Sequence, residues 1–324
     1  MKNKNKTPTQ TSSPAPPLTI LMAAYNGEKY ISRQIESILT QTHQNYTLHI
    51  SDDASTDNTY KIATQYATQN PGKITTTQNP ENTGSAKHNF INMMINQKND
   101  YVMLSDQDDI WLPEKITKTM TKMKSMEAEH GTNTPILVHT DLKVVNENLK
   151  TINPSYKQAM NSDYTRTALN QVLIQNTVTG CTVMYNRALS ELITQKPDYC
   201  VMHDWWLKLT ASAFGKIGHI EEQTILYRQH SKNEVGAKDV RKLSYKLNRL
   251  MNGGSVKEAI RITYPQAVSF LETYKHKLTE EQRKTIEKYC TVPKLGKLAR
   301  CRTLLSMGAL KSGISRNIAY FIFV

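Results

Sequence analysis

Three aspartates fall within four positions, directly after the apolar run at residues 101–104. Carboxylates packed this densely repel one another unless a cation or a neighbouring base compensates their charge. Carboxylate oxygens are also the ligands that hard divalent cations prefer in proteins. The acidic turn is therefore interpreted either as a metal site or as a solvated or capping turn on the surface. Its members are Asp106, Asp108 and Asp109.

Apolar runs that each end in a polar loop recur between the start of the chain and this acidic turn. The run LTILMAA precedes the turn YNG, and the run YTLHIS opens into the loop DDASTD. A third strand is predicted at residues 74–77, and the helices between the strands follow from apolar residues at helical spacing. Strands that alternate with helices predict a doubly wound α/β sheet, in which ligands bind outside the carboxyl ends of the strands. The three polar loops are therefore expected to converge on one crevice.

Two common nucleotide-binding motifs are missing from the sequence. No GxGxxG follows the first strand, and no GxxxxGK[ST] occurs, which disfavours an ordinary dinucleotide oxidoreductase and a P-loop hydrolase. The strand-end acids still suit a different nucleotide user. One acid can accept hydrogen bonds from a base or ribose, and a carboxylate pair can hold a divalent cation beside a diphosphate.

The start of the chain and the cysteines place further bounds on the protein. Residues 1–17 combine Lys, Ser, Thr and Pro without an apolar stretch, so we expect a disordered leader. No run approaches the roughly 20 apolar positions of a membrane span. The four cysteines match neither a zinc pair nor a disulfide framework, which favours a reducing, cytoplasmic location.

The positive charge is concentrated near the C-terminus. Residues 1–234 carry 23 Lys+Arg against 22 Asp+Glu, whereas residues 235–324 carry 18 against 6. The usual signatures of RNA-binding folds are absent, so an anionic membrane surface is the favoured partner and nucleic acid is not expected. The final segment IAYFIFV is too short to span a bilayer but suits its interface. The alternative is an ordinary C-terminal helix that packs its apolar stripe on the domain.

The segments LTILMAAYNGEKYISRQIESILTQTHQNYTLHISDDASTDNT and YVMLSDQDDIWLPEKI resemble the inverting glycosyltransferases of family 2, whose fold is the nucleotide-sugar-binding GT-A fold. The resemblance implies a mixed, mainly parallel α/β sheet flanked by helices. It places a GT-A domain at residues 18–234, with a nucleotide-binding half at 18–115 and an acceptor half at 116–234. Residues 235–324 then form a basic helical C-terminal appendage.

The same resemblance assigns roles to the loops of the nucleotide-binding half. It implies that Asp108 is a direct ligand of Mg²⁺ or Mn²⁺, and that Asp109 caps the following helix. Such a metal stabilises the charge that develops on a departing nucleoside diphosphate. One of Asp52 and Asp53 is expected to cap a helix instead of binding the donor. The donor-nucleotide contacts implied by the resemblance are Ala24, Tyr25, Asn26, Asp53 and Asp106.

In the acceptor half, the segment HDWWL resembles the part of the family that carries the catalytic base. Asp204 is the implied base, which takes the proton of the attacking acceptor hydroxyl. A helix N-cap is the alternative role for this residue. Gly180 in NTVTGC resembles the residue that shapes the acceptor pocket, although a tight turn explains it equally well. Trp205 offers a flat face for a sugar ring, and one of the two adjacent tryptophans is expected in the core.

The segment YRQH resembles an element of the polysaccharide-assembling members of the family. There, Arg228 is implied to contact the diphosphate, and His230 a phosphate or the metal, unless it is structural. Together with SDQDDIW and HDWW, the segment most resembles bacterial rhamnosyltransferases that use dTDP-L-rhamnose to build cell-wall or capsular polysaccharide. This implies a nucleotide-diphosphate sugar donor and a lipid-linked saccharide acceptor at the inner face of the cell membrane. A family member that uses another UDP- or dTDP-sugar, and a non-catalytic basic binding protein, remain as alternatives.

Overall fold

A nine-stranded mixed sheet forms the centre of the chain in this computed structural model, which describes residues 18–95, 97–230 and 253–324. The expected leader and the first part of the basic C-terminal region lie outside the described residues. The strand order is β3-β2-β1-β4-β8-β6-β9-β5, with β7 beside β6. The strands are β1 (Leu18–Ala24), β2 (Tyr46–Asp52), β3 (Ile74–Gln78), β4 (Tyr101–Asp106), β5 (Ile110–Trp111), β6 (Ile136–Asn146), β7 (Thr151–Asn153), β8 (Met184–Asn186) and β9 (Lys216–Gln229).

Helices alternate with the strands, and the last five described helices follow the last strand of the sheet. The helices between the first four strands match the helical spacing of apolar residues in the sequence. In chain order the described α-helices are α1 (Ile31–Leu39), α2 (Thr59–Gln69), α3 (Ala86–Ile95), α4 (Lys115–His130), α5 (Tyr156–Ala159), α6 (Leu169–Val172), α7 (Arg187–Ser190), α8 (His203–Phe214), α9 (Gly253–Arg261), α10 (Thr263–Tyr274), α11 (Glu280–Thr291), α12 (Lys297–Ser306) and α13 (Ile314–Phe323).

The parallel half of the sheet brings the predicted loops to one edge. Strand β1 pairs in parallel with both β2 and β4, and β2 pairs in parallel with β3. In this register Ala24 lies opposite Asp52, and Ala23 lies opposite Asp106. All residues of β1 are buried, as expected for a central parallel strand covered on both faces. The predicted convergence of the strand-end loops is confirmed.

The other half of the sheet mixes strand directions. Strand β8 runs antiparallel to β4 and β6, whereas β6 and β9 form a long parallel pair. The short β5 pairs antiparallel with β9, so that Trp111 lies opposite Ile225. This last pairing brings the end of β9 back to the acidic turn that precedes β5. The sheet is therefore mixed and mostly parallel, as the sequence predicts.

The C-terminal helices pack onto the domain and share its hydrophobic core. Phe270 of α10 lies edge-on to Trp206 of α8, with 5.3 Å between the ring centroids. The hydroxyl of Tyr274 donates to the carbonyl of Leu192 at 3.0 Å. Phe270 and Tyr274 belong to the same buried cluster as Leu104 of β4. Within the described ranges, no helix combines the length and apolarity needed to cross a membrane.

Because Phe270 joins the C-terminal helices to α8, we expect Phe270→Ala to destabilise the whole domain. A fully buried phenylalanine cut to alanine costs about 3–5 kcal/mol of unfolding free energy. Chemical denaturation, followed by tryptophan fluorescence and circular dichroism, measures this loss. The matched control is Val268→Ala on the same helix, since Val268 is 47% exposed. Equal, small effects of the two substitutions would show that these helices contribute little to the core.

Candidate active site

A cleft of about 590 Å³ opens at the carboxyl edge of the parallel strands. One wall comes from the loops after β1, β2 and β4, and the opposite wall comes from the segment before β8 and the start of α8. Seven residues singled out from the sequence line this cleft, although they are far apart along the chain. They are Ala24, Tyr25, Asp53, Asp106, Asp108, Gly180 and Asp204.

The loop after β1 is held by the side chain of Gln107, the middle residue of the acidic turn. The amide N–H of Tyr25 donates to Gln107 Oε1 at 3.0 Å, and Gln107 Nε2 donates to the carbonyl of Tyr25 at 2.7 Å. A Cβ at Gly27 would stand 2.0 Å from Gln107 Oε1, so only glycine leaves room for this pairing. Sequence reasoning assigned no role to Gln107, because a glutamine between two acids carries no charge pattern.

Asn26 ties the first loop to the loop after β2. Its Oδ1 accepts the N–H of Thr56 at 2.9 Å, and its own N–H donates to Ser55 Oγ at 2.9 Å. Its backbone has a left-handed φ of 46°, which asparagine tolerates better than most residues. Asn26 is not among the residues that line the cleft. Its described contacts therefore join two of the loops that line the cleft.

Asp53 lines the cleft with its carboxylate held by the loop after β3. Its Oδ1 accepts from Asn79 Nδ2 at 2.7 Å and from the N–H of Thr83 at 3.0 Å. Its Oδ2 accepts from Thr83 Oγ1 at 2.8 Å. These bonds fix the orientation of the carboxylate, which is 3% exposed.

The helix-capping role expected of Asp52 or Asp53 is wrong. Asp52 Oδ2 accepts the N–H of Ser55 at 2.9 Å, inside the loop and before the helix. The first N–H of α2, from Thr59, is instead received by Asp57 Oδ1 at 2.9 Å. The reason is the distance along the chain. Asp57 lies two residues before Thr59, whereas Asp52 and Asp53 lie farther from the helix and accept hydrogen bonds from loop residues.

Asp108 pairs with His230 at the end of β9. His230 Nε2 lies 2.7 Å from Asp108 Oδ2, and the two side chains are 8% and 14% exposed. The imidazole ring stacks on the ring of Tyr30, with 4.8 Å between the centroids. The structure thus brings together two residues that the sequence separates by more than a hundred positions.

Arg228 lies behind the acidic turn. Its Nε donates to the carbonyl of Asp108 at 2.8 Å, and its Nη1 donates to the carbonyl of Glu147 at 2.7 Å. Its guanidinium also lies over the ring of Tyr30, 4.9 Å from the centroid. Arg228 is almost fully buried and is not among the lining residues. Its described contacts hold the shape of the turn.

Asp109 forms the buried floor of the turn, and its expected role as a helix cap is wrong. Helix α4 begins at Lys115 without a side-chain cap. Asp109 instead points inward, where its Oδ1 accepts the N–H of Arg228 at 3.1 Å. Burial raises the pKa of Asp109 well above its ordinary value, and the neighbouring charges of Asp108 and Asp106 raise it further. Both effects favour the neutral form of Asp109.

Two groups of side chains in this region can be compared as cation ligands. Single ligand atoms of Asp106, Asp109 and Cys181 lie within 4.8 Å of one another. Burial raises the pKa of both Asp109 and the Cys181 thiol well above their ordinary values, which disfavours the ionised forms that bind a cation. Asp108 and His230 offer a carboxylate oxygen and an imidazole nitrogen 2.7 Å apart, and Asp106 also lines the cleft. Carboxylate oxygens suit Mn²⁺ or Mg²⁺, whereas a thiol does not.

Asp204 stands across the cleft, in the first turn of α8. It is not the N-cap, because that position belongs to Met202. Burial raises the pKa of Asp204 to about 7, while the backbone N–H groups of Trp205 and Gly180 oppose this shift. Asn176 Nδ2 donates to Asp204 Oδ1 at 3.1 Å and orients the carboxyl group. A carboxyl group with a pKa near neutrality suits general base catalysis.

Gly180 allows the segment before β8 to pack closely against the start of α8. A Cβ at this position would stand 2.6 Å from His203 Nε2 and 3.7 Å from Asp204 Cβ. His203 also lines the cleft, with its ring stacked on Phe90 at 4.2 Å. Burial lowers the pKa of His203 to about 3, so the ring is neutral. Sequence reasoning missed His203, since only the adjacent acid matched a catalytic role.

Lys208 lies one helical turn after Asp204 and is fully buried. Its Nζ donates to Thr177 Oγ1 at 2.6 Å, next to the asparagine that orients Asp204. Burial lowers the pKa of Lys208 to about 7, and its charge lowers the pKa of Asp204. The i, i+4 spacing of an acid and a lysine in HDWWLK is the sequence signal for this pair.

Both tryptophans after Asp204 belong to the core. Trp206 packs on Phe270, and Trp205 donates its indole N–H to the carbonyl of Val172 at 2.7 Å. Trp205 is 9% exposed and is not among the residues that line the cleft. The indole ring of Trp205, which was expected to stack on a sugar, is therefore packed in the core.

Comparison with known proteins relates this cleft to sugar transfer. The family Glycosyl transferase family 2 matches residues 19–193. The dTDP-rhamnosyl transferase RfbG of Shigella flexneri is 31% identical over 254 residues, which cover 74% of this chain and 83% of that protein. The putative glycosyltransferase EpsE of Bacillus subtilis is 32% identical over 129 residues, covering 40% and 46% of the two chains.

Solved structures of glycosyltransferases share the fold at low sequence identity. The complex of S. aureus TarS 1-349 with UDP-GlcNAc superposes with a TM-score of 0.55 at 16% identity, covering 90% of this chain and 79% of that one. The mannosyltransferase PcManGT of Pyrobaculum calidifontis, in complex with GDP-Man and Mn²⁺, gives 0.51 at 17% identity, covering 99% and 89%. The expected GT-A fold is confirmed, and the chain belongs to Glycosyl transferase family 2.

Proposed function

We propose that the protein is an inverting, metal-dependent glycosyltransferase that moves L-rhamnose from dTDP-L-rhamnose to a lipid-linked saccharide in cell-wall or capsular polysaccharide synthesis. One observation carries the catalytic part: Asp204, whose pKa burial raises to about 7, lines the same cleft as the acidic turn. The similarity to the dTDP-rhamnosyl transferase RfbG supports the donor. The acceptor is proposed by analogy with polysaccharide-assembling members of the family.

The donor side holds the nucleotide in this proposal. The backbone of Tyr25 and the carboxylate of Asp53 are both fixed by neighbouring side chains, so they meet the base and ribose without reordering. Asp108 and His230, with Asp106, hold Mg²⁺ or Mn²⁺ at the diphosphate. When bound, the cation neutralises negative charge on the leaving nucleoside diphosphate.

Transfer itself needs one proton acceptor. The acceptor hydroxyl attacks the anomeric carbon of the sugar, the bond from that carbon to the diphosphate oxygen breaks, and the hydroxyl proton passes to Asp204. The nucleoside diphosphate leaves with the bonding electrons, and the configuration at the anomeric carbon inverts. Asn176 keeps Asp204 pointed at the cleft through its bond to Oδ1. The neutral ring of His203 lies beside this site without adding a competing charge.

A panel of dTDP-, UDP- and GDP-sugars with Mn²⁺ and a lipid-linked oligosaccharide tests the proposed donor. We expect transfer and slow donor hydrolysis with dTDP-L-rhamnose above all others, measured by product chromatography. Asp204→Asn should reduce transfer about 10²- to 10⁴-fold while retaining nucleotide binding, because it removes only the base. The exposed carboxylate Asp198 provides the control Asp198→Asn. Preferred use of a UDP-sugar would reject rhamnose, and a fully active Asp204→Asn would reject the base.

The pH dependence of kcat/KM should show an acidic limb near pH 7. Asp204 must be ionised to accept the proton, so the rate is expected to rise as the pH passes through its pKa of about 7. Lys208→Met removes the positive charge that lowers this pKa, so the limb should move to higher pH. The exposed Lys216→Met is the matched control. An unmoved limb in Lys208→Met would show that Lys208 does not act on the base.

Removal of divalent cations should abolish transfer, and added Mn²⁺ should restore it. Asp108→Ala and His230→Ala should each weaken Mn²⁺-dependent binding of dTDP by roughly tenfold or more, because each removes a ligand of the metal. Isothermal titration with and without Mn²⁺ separates this effect from contacts to the base. The control His276→Ala changes an exposed histidine in the turn between α10 and α11. Binding that ignores Mn²⁺ in the unmodified protein would contradict this metal assignment.

A further inference from the structure

The last two helices leave an apolar face uncovered. Of the large apolar side chains that are exposed among the described residues, five lie in α12 and α13. On α13 they recur every fourth residue, so they occupy one side of the helix. The opposite side of α13 is anchored by the buried Ala319 and Tyr320. The exposed set, called the C-terminal apolar face below, is Leu298 (77% exposed), Leu305 (56%), Ile314 (81%), Ile318 (55%) and Ile322 (52%).

Hydrogen bonds join the start of α12 to the end of α13. Lys297 Nζ, in the first turn of α12, donates to the carbonyls of Ile322 and Val324 at 2.7 and 2.8 Å. A lysine also suits the negative end of the α13 helix dipole. These bonds keep Leu298 beside the end of the isoleucine row. The face is therefore part of the packed structure and not a frayed end.

Basic side chains surround the C-terminal apolar face. Residues 288–324 contain seven Lys and Arg and no Asp or Glu. Arg302 and Leu305 follow Leu298 by four and seven residues, so all three lie on the same side of α12. Arg302 is exposed. Lys294 is also exposed, just before α12. A face of this kind combines apolar side chains with positive charge, which is the pattern of helices that lie in a membrane interface.

We propose that the C-terminal apolar face docks on the surface of an anionic membrane, with its isoleucines at the boundary between headgroups and acyl chains. Charge decides between this occupant and a second copy of the chain. Two copies meeting through this face would bring together two segments that each carry seven Lys and Arg and no acid, and these segments repel each other. Anionic lipid compensates the same cations. The short helix α13 lies along the surface in this arrangement.

The C-terminal apolar face is also linked to the acceptor side of the cleft. In the turn between α12 and α13, the N–H of Ser312 donates to Gln175 Oε1 at 2.7 Å. Gln175 directly precedes Asn176, which orients Asp204. Docking would thus hold the acceptor side of the cleft near the membrane. Binding of this face to a membrane does not depend on the proposed transferase activity. Its benefit for catalysis rests on the proposed lipid-linked acceptor.

Vesicle flotation of the full chain tests the docking. We expect binding to phosphatidylcholine vesicles that contain phosphatidylglycerol, weaker binding at high salt, and little binding to phosphatidylcholine alone. The triple variant Ile314→Ser, Ile318→Ser, Ile322→Ser should bind anionic vesicles at least about tenfold more weakly. The matched control, Ile152→Ser with Val268→Ser, changes exposed apolar residues elsewhere and should bind normally. Equal binding of the triple variant and the control would overturn the proposal.

Two further measurements separate this proposal from the others. Light scattering reports the oligomeric state, and a dimer that the triple variant dissociates, without vesicle binding by either protein, would identify a second copy as the occupant. Donor hydrolysis and transfer to a water-soluble acceptor should be unchanged in the triple variant, because none of the three isoleucines lines the cleft. The single variant Ile318→Ser, with an unchanged thermal midpoint, should already bind vesicles measurably more weakly. Full binding by this variant and by the triple variant would count against the face.

Discussion

Five aspartates crowd the carboxyl edge of the sheet, and the compensation of their charge is the constraint on which the rest of the site depends. Mutual repulsion at short range would spread these acids apart if each remained ionised and unpaired. Asp52 and Asp53 are held by amides and hydroxyls of the adjoining loops, and Asp108 is held by an imidazole. Burial and the charges of Asp108 and Asp106 raise the pKa of Asp109, which favours its neutral form. Asp106, the fifth of these acids, lines the cleft.

Burial has opposite consequences for two carboxyl groups in the same region. In both Asp109 and Asp204 burial raises the pKa, because it removes water from the ionised form. The charges of Asp108 and Asp106 raise the pKa of Asp109 further. Around Asp204, the backbone N–H groups of Trp205 and Gly180, the charge of Lys208 and the amide of Asn176 oppose the effect of burial, and the pKa is about 7. Identical side chains thus acquire different acidities from their neighbours.

The sequence was sufficient for the strands and for the loops that follow them, because β1, β2 and β4 are apolar runs with polar residues at their ends. Parallel pairing then leaves those loops only one place to meet. The partners of the loops were not predictable in the same way. The pairings of Gln107 with Tyr25 and of His230 with Asp108 depend on how remote segments return to the edge, for which no local pattern exists. Asp109 was misjudged because local helix signals cannot show that a side chain points into the core.

At Tyr25, in the loop after β1, the main chain and the side chain have separate roles. Gln107 binds both polar groups of the Tyr25 main chain, while the phenol ring is 46% exposed at the mouth of the cleft. Substitution of the ring therefore leaves the hydrogen bonds that shape the loop in place. The exposed side chain at this position can therefore change in single steps, without an intermediate that has lost the architecture of the loop.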